Sequence, residues 1–506
     1  MLWFRGYCVN TVGIDKTSRK MNSSKKNDIY TLLIAAADTK GNDPFFIYNR
    51  QPVSYREALS HSQKFANYLR NIKIKKQDRV IIYLANVPEF IYTYLSLLQL
   101  GAISILINPA TKRYEIRHII EDSQPKLIIT DYKNIQNIKN DDGFFYEPNK
   151  IILIDDDSTG NHFWKIIENE KPYDDFEDIN DDDAITIIYT SAQEGFPLGA
   201  MLTNMGIYET SKEISKFSQE DDKFLTILPL FHSFGLTSSF ITPLYSQLPF
   251  YLVNRISRQE IVDLVYNENI SIFAGVPFMF FAMDMLFAYE KKIPKIRLAI
   301  SGGESISINL QKKMKEKYDI NIRQGYGLTE ASPIVTWNNT DIENKFGTVG
   351  TAMMWNEVRF SNNGKDCTIN DKGEILVKGI NIIAGYYGQK NITAQIIQNG
   401  WLHTGDIGFI DSDGYVTITD RKKDMIIKKG LNVYPKEIKR ILCNHPFVND
   451  IHINSKIIRN EDLTTTESIE AIVYTKSGMK LDEKSFLDWC NINISKYKIP
   501  DSIIIK

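Results

Sequence analysis

Residues 79–131 read RVIIYLANVPEFIYTYLSLLQLGAISILINPATKRYEIRHIIEDSQPKLIITD. The apolar runs RVIIYL, AISILIN and PKLIITD have the length of buried strands, and the two longer segments between them predict helices. Gly101 marks the end of the first of these helices. Because strands that alternate with helices form βαβ units, this stretch predicts an α/β fold with a parallel sheet.

The composition of the whole chain is that of a globular protein. Its 506 residues allow about three domain-sized units, and 43% apolar with 24% charged residues excludes wholesale disorder. The net charge of −2 lacks the basic excess that broad capture of nucleic acid requires, so we predict no nucleic-acid partner. The four cysteines include no C-x-x-C pair, which argues against a disulfide framework or a thiolate zinc site and favours a reducing, cytoplasmic compartment.

Two long stretches, residues 90–107 and 224–254, carry no formal charge. Glycine interrupts the first, and three prolines and a glycine interrupt the second, so we interpret both as buried core and predict no transmembrane span. A peripheral membrane contact and a homodimer are left open. Residues 1–27 lack the long apolar stretch of a secretory signal and are predicted to be a disordered extension, with a weak organelle-targeting arm as the alternative.

A candidate phosphate site follows a second strand-like run, AITIIYT, at residues 184–190. The loop after it, SAQEGFPLG, contains glycines that let backbone N–H groups approach a polyphosphate, although glycines after a strand are common structural punctuation. Near Asp420 the sequence pattern changes to the charged turn DRKKD, which is followed by a shorter α+β segment. We therefore predict one domain over residues 28–420 and a second over residues 421–506.

Further motifs follow the loop in a fixed order: PLFHSFG at 229–235, SGGE at 301–304, GYGLTE at 325–330, GWLHTGD at 400–406, and DRKKDMIIKKGLNVYP at 420–435. From about residue 28 to the last residue the sequence resembles the adenylate-forming acyl-CoA ligases, and within them the long-chain fatty acid–CoA ligases. The resemblance implies a large N-terminal domain of layered βαβ subdomains with mostly parallel sheets. It also implies a small, mobile α+β C-terminal domain, here truncated relative to the family, with a hinge near Lys423.

The resemblance implies a two-step reaction. A carboxylate, here of a fatty or other hydrophobic acid, attacks the α-phosphate of ATP to form an acyl-adenylate and pyrophosphate, and the thiol of coenzyme A then displaces AMP. ATP with Mg²⁺ and coenzyme A are the implied co-substrates, and the partners are small molecules. The alternative is a catalytically impaired family member that binds a nucleotide or acyl ligand for a regulatory or scaffolding role. Ligation of an amino acid to a carrier domain is disfavoured, because no Asp for the substrate ammonium stands in PLFHSFG.

The family roles carry over to matching positions. Tyr326 would lie against adenine, where an aromatic face suits a purine, and Asp406 would accept the ribose hydroxyls. Thr329 and Glu330 would be catalytic with His232, Glu330 as the Mg²⁺ ligand and His232 as the gate of the thiol channel. The full nucleotide-binding set is Thr190, Ser191, Gly195, Gly199, Gly302, Gly303, Glu304, Gly325, Tyr326, Gly327, Asp406 and Arg421. The hinge and thiol-transfer loop are Lys423, Lys429 and Gly430.

Each of these assignments has a structural alternative. His232 could be a satisfied core residue, Asp406 an ordinary turn residue, and Lys429–Gly430 a surface turn.

Two departures from the family pattern concern adenylation. The phosphate loop of the family reads T-S-G-T-T-G-x-P-K-G, whereas Glu194 here adds an anion and Leu198 removes a cation. A like-charge pair at about 4 Å costs on the order of 4 kcal/mol, so ATP binding should suffer if Glu194 faces the phosphates. The catalytic lysine of the family lies beyond a segment like KYKIP (496–500), and the sequence stops at Lys506 before that element. We therefore expect slow adenylation and retained thiol transfer.

Two features bear on the size of the acid. Gly327 matches a Trp that closes the acyl pocket in acetate-using relatives, so it predicts an open pocket. The run FAGVPFMFF at 273–281 can supply an apolar lining, or can be plain core. Since each buried CH₂ contributes about 0.8 kcal/mol, we predict a medium- or long-chain acid.

Overall fold

The computed structural model describes residues 28–140, 143–156, 161–190, 195–254, 257–290, 292–421, 426–428, 431–459 and 465–506. The described chain begins with α1 (Ile29–Lys40), β1 (Pro44–Tyr48) and β2 (Gln51–Ser54). Asp28 caps α1, because its Oδ1 accepts a hydrogen bond of 2.9 Å from the backbone N–H of Tyr30.

The first sheet and its helices occupy residues 55–203. The elements are α2 (Tyr55–Asn71), β3 (Arg79–Tyr83), α3 (Pro88–Gln99), β4 (Ile103–Leu106), α4 (Arg113–Ser123), β5 (Leu127–Thr130), α5 (Tyr132–Ile135), β6 (Lys139–Asn140), β7 (Gly143–Phe144), β8 (Ile151–Leu153), α6 (Phe163–Asn169), β9 (Ala184–Thr190) and β10 (Leu198–Thr203). The strand order is β10-β9-β4-β3-β5-β8, and only β10 runs antiparallel to its neighbour. The strands and helices predicted for residues 79–131 are therefore confirmed.

The second sheet is larger and is also mainly parallel. Its part of the chain contains α7 (Asn204–Ser215), β11 (Phe224–Thr226), α8 (Ser233–Leu236), α9 (Thr242–Ser246), β12 (Phe250–Leu252), α10 (Arg258–Asn267), β13 (Ile272–Gly275), α11 (Pro277–Phe287), β14 (Leu298–Ser301), α12 (Ile308–Tyr318), β15 (Ile322–Tyr326), β16 (Thr336–Trp337) and β17 (Thr351–Ala352). The nine strands are ordered β17-β16-β15-β14-β13-β11-β12-β1-β2. Antiparallel pairs occur at its two edges, β1–β2 and β15–β16–β17.

Both uncharged stretches are core, as predicted. Every residue of α3 from Glu89 to Gln99 is buried, and β4 after it is buried along its whole length. The segment 224–254 forms β11, α8, α9 and β12, whose residues are mostly buried. Within the described ranges no helix combines the length and the apolar character that crossing a membrane requires.

An antiparallel sheet completes the N-terminal part. It contains β18 (Glu357–Asn362), β19 (Lys365–Asp366), β20 (Gly373–Lys378), α13 (Lys390–Ile396), β21 (Ile397–Gln398), β22 (Trp401–Ile410) and β23 (Val416–Arg421). The order is β19-β18-β20-β22-β21, with β23 paired to β22. The pairing places Asp406 directly opposite Arg421.

The C-terminal part has a hydrophobic core of its own. Its elements are β24 (Ile426–Lys428), β25 (Leu431–Val433), α14 (Pro435–Leu442), β26 (Val448–Arg459), β27 (Thr465–Thr475), α15 (Glu483–Asn493) and β28 (Ser502–Ile505). Residues from Ile426 to Ile494 form its core cluster, which includes the fully buried Ile438, Val473 and Phe486. The predicted fold class, layered α/β with a small α+β C-terminal unit, is confirmed. The terms N-terminal part and C-terminal part are used below for residues 28–421 and 426–506.

Candidate active site

A cavity opens at the carboxyl ends of the parallel strands β14 and β15, where open α/β sheets usually bind ligands. It offers about 50 Å³ to water-sized groups, and the lining residues carry no formal charge. These residues are His232, Ser233, Phe234, Ile300, Ser301, Gly302, Gly303, Gly325, Tyr326, Gly327, Leu328, Thr329, Pro333, Ile334 and Trp337. Seven of the predicted site residues, His232, Gly302, Gly303, Gly325, Tyr326, Gly327 and Thr329, are therefore brought together.

Tyr326 joins this cavity to Asp406 and Arg421. Its hydroxyl donates a hydrogen bond of 2.7 Å to Oδ2 of Asp406, and Nε of Arg421 lies 3.1 Å from the other carboxylate oxygen. Burial, together with the charge of Asp406, raises the pKa of Tyr326 well above its ordinary value, so the hydroxyl remains a donor. Asp406 is held in place from behind, since its backbone N–H donates to Oγ1 of Thr404 at 3.1 Å.

Glu330 lies at a junction between the cavity and the strand that leads to the phosphate loop. The hydroxyl of Tyr386 donates to its Oε1 at 2.7 Å, and Oγ1 of Thr190 donates to the same oxygen at 3.4 Å. Oγ of Ser233 lies 3.4 Å from Oγ1 of Thr329, one residue before Glu330. Thr190 and Glu330, separated by 140 positions in the sequence, are thus neighbours in the structure.

The ring of His232 lines the cavity and also caps a helix. Its Nδ1 accepts a hydrogen bond of 3.3 Å from the backbone N–H of Phe234 at the start of α8. Burial lowers the pKa of His232 below its ordinary value, so the ring is neutral at pH 7. His232 is therefore both part of the cavity wall and hydrogen-bonded within the fold, and its role as the gate of the thiol channel stays a prediction.

At two of the predicted site glycines, close packing leaves no room for a side chain. A Cβ at Gly199, within β10, would lie 2.9 Å from the side chain of Ile187 and 3.1 Å from Tyr189, so this glycine lets β10 pair with β9 and does not reach the cavity. A Cβ at Gly327 would lie 1.7 Å from the carbonyl oxygen of Pro333. Gly327 nevertheless lines the cavity, and the expectation that it leaves the acyl pocket open stays a prediction.

Two interpretations were left open for residues 273–281, acyl lining and plain core, and the lining is wrong for this cavity. Phe273 and Phe280 pack against each other in a separate core cluster, and Phe278 is exposed. The apolar wall is formed by Ile300, Ile334 and Trp337. Trp337 was not singled out in the sequence, because one aromatic residue in a short apolar segment carries no signal of its own.

The described end of the phosphate loop lies against the C-terminal part. Gly195 has φ of +84°, its carbonyl accepts a hydrogen bond of 3.4 Å from Arg440, and a Cβ there would lie 3.4 Å from the carbonyl oxygen of Lys436. The guanidinium of Arg440 also lies 5.5 Å from the centre of the Phe196 ring. Leu198, which stands where the family has a cation, is 2% exposed and packs in the hydrophobic core of the N-terminal part.

The remaining predicted residues divide into two groups. Glu304 directly follows Gly303 and is partly exposed, next to the cavity but outside its lining. Ser191, Glu194, Lys423, Lys429 and Gly430 lie outside the described residues. Tyr386, which contacts Glu330, was missed because the sequence AGYYG around it has no distinctive spacing.

Comparison with known proteins identifies the class that this fold and site define. The family model described as "AMP-binding enzyme" matches residues 33–387, and the chain belongs to that family. The prediction of an enzyme of the acid–thiol ligase class, with an adenylate-forming fold, is thereby confirmed.

Individual relatives are CoA ligases with different acids in their names. The chain is 30% identical to the 2-succinylbenzoate–CoA ligase of Bacillus velezensis, over 90% of this chain and 89% of the relative. It is 28% identical to 4-coumarate–CoA ligase 2 of Solanum tuberosum, over 89% and 84%. The long-chain-fatty-acid–CoA ligase of Bacillus subtilis is 26% identical, over 88% and 85%. A particular closeness to long-chain enzymes is therefore not confirmed.

Solved structures show the same fold over nearly the whole chain. A double mutant of o-succinylbenzoate CoA synthetase from Bacillus subtilis, bound with a CoA product analogue, superimposes with a TM-score of 0.81 at 24% identity, covering 94% of both chains. The same enzyme in complex with AMP gives a TM-score of 0.68 at 24% identity and the same coverage.

Proposed function

We propose that this enzyme activates a hydrophobic carboxylic acid with ATP as an acyl-adenylate and transfers the acyl group to the thiol of coenzyme A, releasing pyrophosphate and AMP. The observation that carries the proposal is the position of Tyr326. Its ring lines the uncharged cavity while its hydroxyl binds Asp406, so one residue connects an apolar acid site to a polar nucleotide site. The relatives' names, all CoA ligases, support the same reaction.

The nucleotide would be held on both sides of Tyr326. The adenine would lie against the Tyr326 ring and the backbone of Gly302 and Gly303, where the absence of side chains permits close approach. The ribose hydroxyls would donate to the carboxylate of Asp406, which Arg421 and Tyr326 hold in one orientation. A carboxylate oxygen accepts more than one hydrogen bond, so these contacts leave acceptor capacity for the ribose.

The phosphates would lie between β9 and the loop after β15. Thr190 and Thr329 supply hydroxyl donors there, and Gly195 supplies backbone next to Arg440. Glu330 fits a Mg²⁺ ligand, because it is a carboxylate set among hydroxyl groups beside this loop, and Mg²⁺ prefers oxygen ligands shared with phosphates. When bound, the ion would neutralise charge on the phosphates.

The acid would occupy the apolar end of the cavity, with its carboxylate toward Thr329. Trp337 closes this end, since it is only 2% exposed and its ring packs 5.0 Å from that of Phe217. Of the two sequence features that favoured a long chain, residues 273–281 lie outside the cavity lining, and at Gly327 the carbonyl of Pro333 occupies the place that a side chain would take. We therefore propose an acid of about aryl size in preference to a long-chain fatty acid.

The thiol would approach past His232. A neutral ring on the cavity wall leaves the path free of a fixed positive charge, and its cap on α8 holds the ring in place. Lys423 as hinge, with Lys429 and Gly430 as the thiol-transfer loop, and a cytoplasmic location stay predictions.

Thioester formation with a panel of acids tests the proposal. We expect specificity constants for 4-coumarate or 2-succinylbenzoate to exceed those for dodecanoate and acetate, and Trp337→Ala to shift the preference toward dodecanoate. Trp401→Ala is the matched control, because Trp401 stacks on Arg359 away from the cavity and should leave the preference unchanged. Dodecanoate as the best substrate of the parent protein would refute the assigned acid size.

The catalytically impaired family member remains the second candidate. The observation that favours it is Leu198, which is packed in the core, so the loop has no cation at that position. The result that distinguishes it is AMP binding by the folded protein without turnover of any acid in the panel.

A further inference from the structure

One carboxylate of the N-terminal part receives most of its hydrogen bonds from the C-terminal part. Oε2 of Glu115, in α4, accepts hydrogen bonds from the backbone N–H of Ser495 at 3.0 Å and from its hydroxyl at 2.5 Å. Oε1 of Glu115 accepts from Nζ of Lys498 at 2.6 Å. The side chains of Glu115 and Lys498 are only 3% and 4% exposed. These contacts join residues separated by 380 positions or more.

The orientation of Glu115 is set by its own helix. The backbone N–H of Lys112, at the start of α4, donates to Oε2 of Glu115 at 3.0 Å, which is the usual contact of an acidic third residue with the helix N-terminus. This contact does not involve the C-terminal part. The carboxylate is therefore held in part by α4 itself, in the orientation in which it meets Ser495.

The charges around Lys498 make this contact specific to one arrangement of the two parts. Lys498 also binds Oε1 of Glu437 within the C-terminal part at 2.6 Å, and the side chain of Glu437 is 1% exposed. Burial by itself would lower the pKa of Lys498, but Glu115 and Glu437 together raise it well above its ordinary value, so it stays charged. If the two parts separate, Lys498 keeps its ion pair with Glu437. Glu115 then loses all three hydrogen-bond donors that the C-terminal part supplies.

Helix α4 also contacts the phosphate loop. The charged cluster around Lys498 is therefore connected, through this helix, to the proposed phosphate site. Nε2 of His118, less than one turn after Glu115, lies 3.0 Å from the carbonyl oxygen of Pro197, and its ring is 5.6 Å from that of Phe196. One turn before His118 on α4, the ring of Tyr114 lies 5.9 Å from that of Trp489 of the C-terminal part. The same helix thus touches the loop beside the proposed phosphate site and the part that packs on it.

We propose that Glu115 is a positioning residue that holds the C-terminal part in the arrangement of this structure and thereby supports the acyl transfer to the thiol. The proposal rests on the proposed function for the identity of the step. We assign the arrangement to thiol transfer because the chain superimposes better on the relative bound with a CoA product analogue than on the same enzyme with AMP, 0.81 against 0.68. Glu115 touches neither substrate in this scheme and acts through Ser495 and Lys498.

The variants are Glu115→Gln, which removes the charge, and Glu115→Asp, which keeps the charge but shortens the side chain by one CH₂. Glu121→Gln is the matched control. Glu121 lies on the same helix, its side chain is 61% exposed, and its ion pair with Arg117 is on the surface. Thermal melts of all variants report whether each remains folded.

The first measurement is hydrogen exchange of the full chain, which does not depend on activity. We expect the Ser495 amide to exchange at least tenfold faster in both Glu115 variants, with no change in Glu121→Gln. An exchange rate equal to that of the parent in folded Glu115 variants would overturn the proposal, whatever the substrate proves to be.

The second measurement separates the half-reactions. Transfer from preformed acyl-adenylate to coenzyme A should fall at least tenfold in both Glu115 variants, while acyl-adenylate formation changes less than twofold. Equal losses in both half-reactions would show a purely structural role and would also overturn the proposal. If the parent forms no thioester with any acid, the proposed function fails, and the exchange measurement alone decides whether Glu115 holds the two parts together.

Discussion

Replacing Asp406 by Asn tests the nucleotide site most directly. Asn has the same shape but loses the charge and turns one acceptor oxygen into a donor. In the structure, both oxygens of Asp406 are engaged, by Tyr326 at 2.7 Å and by Arg421 at 3.1 Å, and the side chain is 12% exposed. The substitution therefore acts at a protected site where a lost acceptor is not readily replaced by water.

The expected magnitude follows from the hydrogen bonds that the ribose would make. A hydrogen bond to a charged group contributes about 1.5–3 kcal/mol. Asn would lose one such acceptor and weaken the other, so we expect AMP binding to weaken by about 2–3 kcal/mol, or about 30- to 150-fold in Kd. Tyr326→Phe keeps the ring and removes only the hydroxyl, so it should change AMP affinity by less than about threefold, a few tenths of a kcal/mol.

Isothermal titration calorimetry with AMP measures these changes, with thermal melts to verify folding. Asp413→Asn is the matched control, since Asp413 is on the turn between β22 and β23, is 66% exposed, and pairs with Lys345 on the surface. Unchanged AMP affinity in folded Asp406→Asn would refute the assignment of Asp406 to the ribose. A loss in Tyr326→Phe as large as that in Asp406→Asn would show that the hydroxyl, and not the carboxylate, carries the binding.

Three further predictions concern stability and the glycine of the site. Leu198→Lys should lower the free energy of unfolding by about 3 kcal/mol in urea and should not tighten ATP binding, because it places a charge in the core; Leu198→Met should cost less than about 1.5 kcal/mol. Gly327→Ala should reduce turnover of short and long acids alike, since its Cβ would meet the oxygen of Pro333 at 1.7 Å, and a selective loss of the longer acid would contradict this. Burial raises the pKa of Glu89 above its ordinary 4.5, so the ionised form costs stability as the pH rises through the folded-state pKa. Urea melts of Glu89→Gln should match the parent below pH 4.5 and show higher stability at pH 8, because Gln can still accept the hydrogen bond from Trp164; a lower stability at pH 8 would contradict the argument.

Local sequence patterns were sufficient to predict the structural features that depend on residues close together in the sequence. The strands and helices of residues 79–131 follow from runs and spacings within about fifteen residues of each other, and the structure has them as β3, α3, β4, α4 and β5. The ordered motifs were likewise sufficient for the family, because each is a short loop with a characteristic composition. The meeting of Tyr326 and Asp406 then follows from the fold that the family shares.

The direction that a side chain takes was decided only by tertiary structure. Apart from Asp284, helix α11 is apolar on every side, so its sequence cannot show that Phe280 faces a separate core and Phe278 the solvent. Nothing near Gly327 in the sequence shows that the backbone of Pro333 fills the space beside it. Leu198, which is a missing cation when the loop is read alone, is a buried strand residue once β10 pairs with β9.

Contacts between distant parts of the chain left no local signal at all. In the sequence, Glu115 is one of several charges on an amphipathic helix, and Ser495 and Lys498 belong to a basic segment near the last residue. Only the packing of the C-terminal part on α4 removes water from these groups and makes them partners. The sequence by itself therefore determined the elements, the family and the types of residue at the site. The tertiary structure decided which of those residues are buried, what they face, and how the two parts of the chain meet, because these depend on long-range packing and desolvation that short-range patterns do not encode.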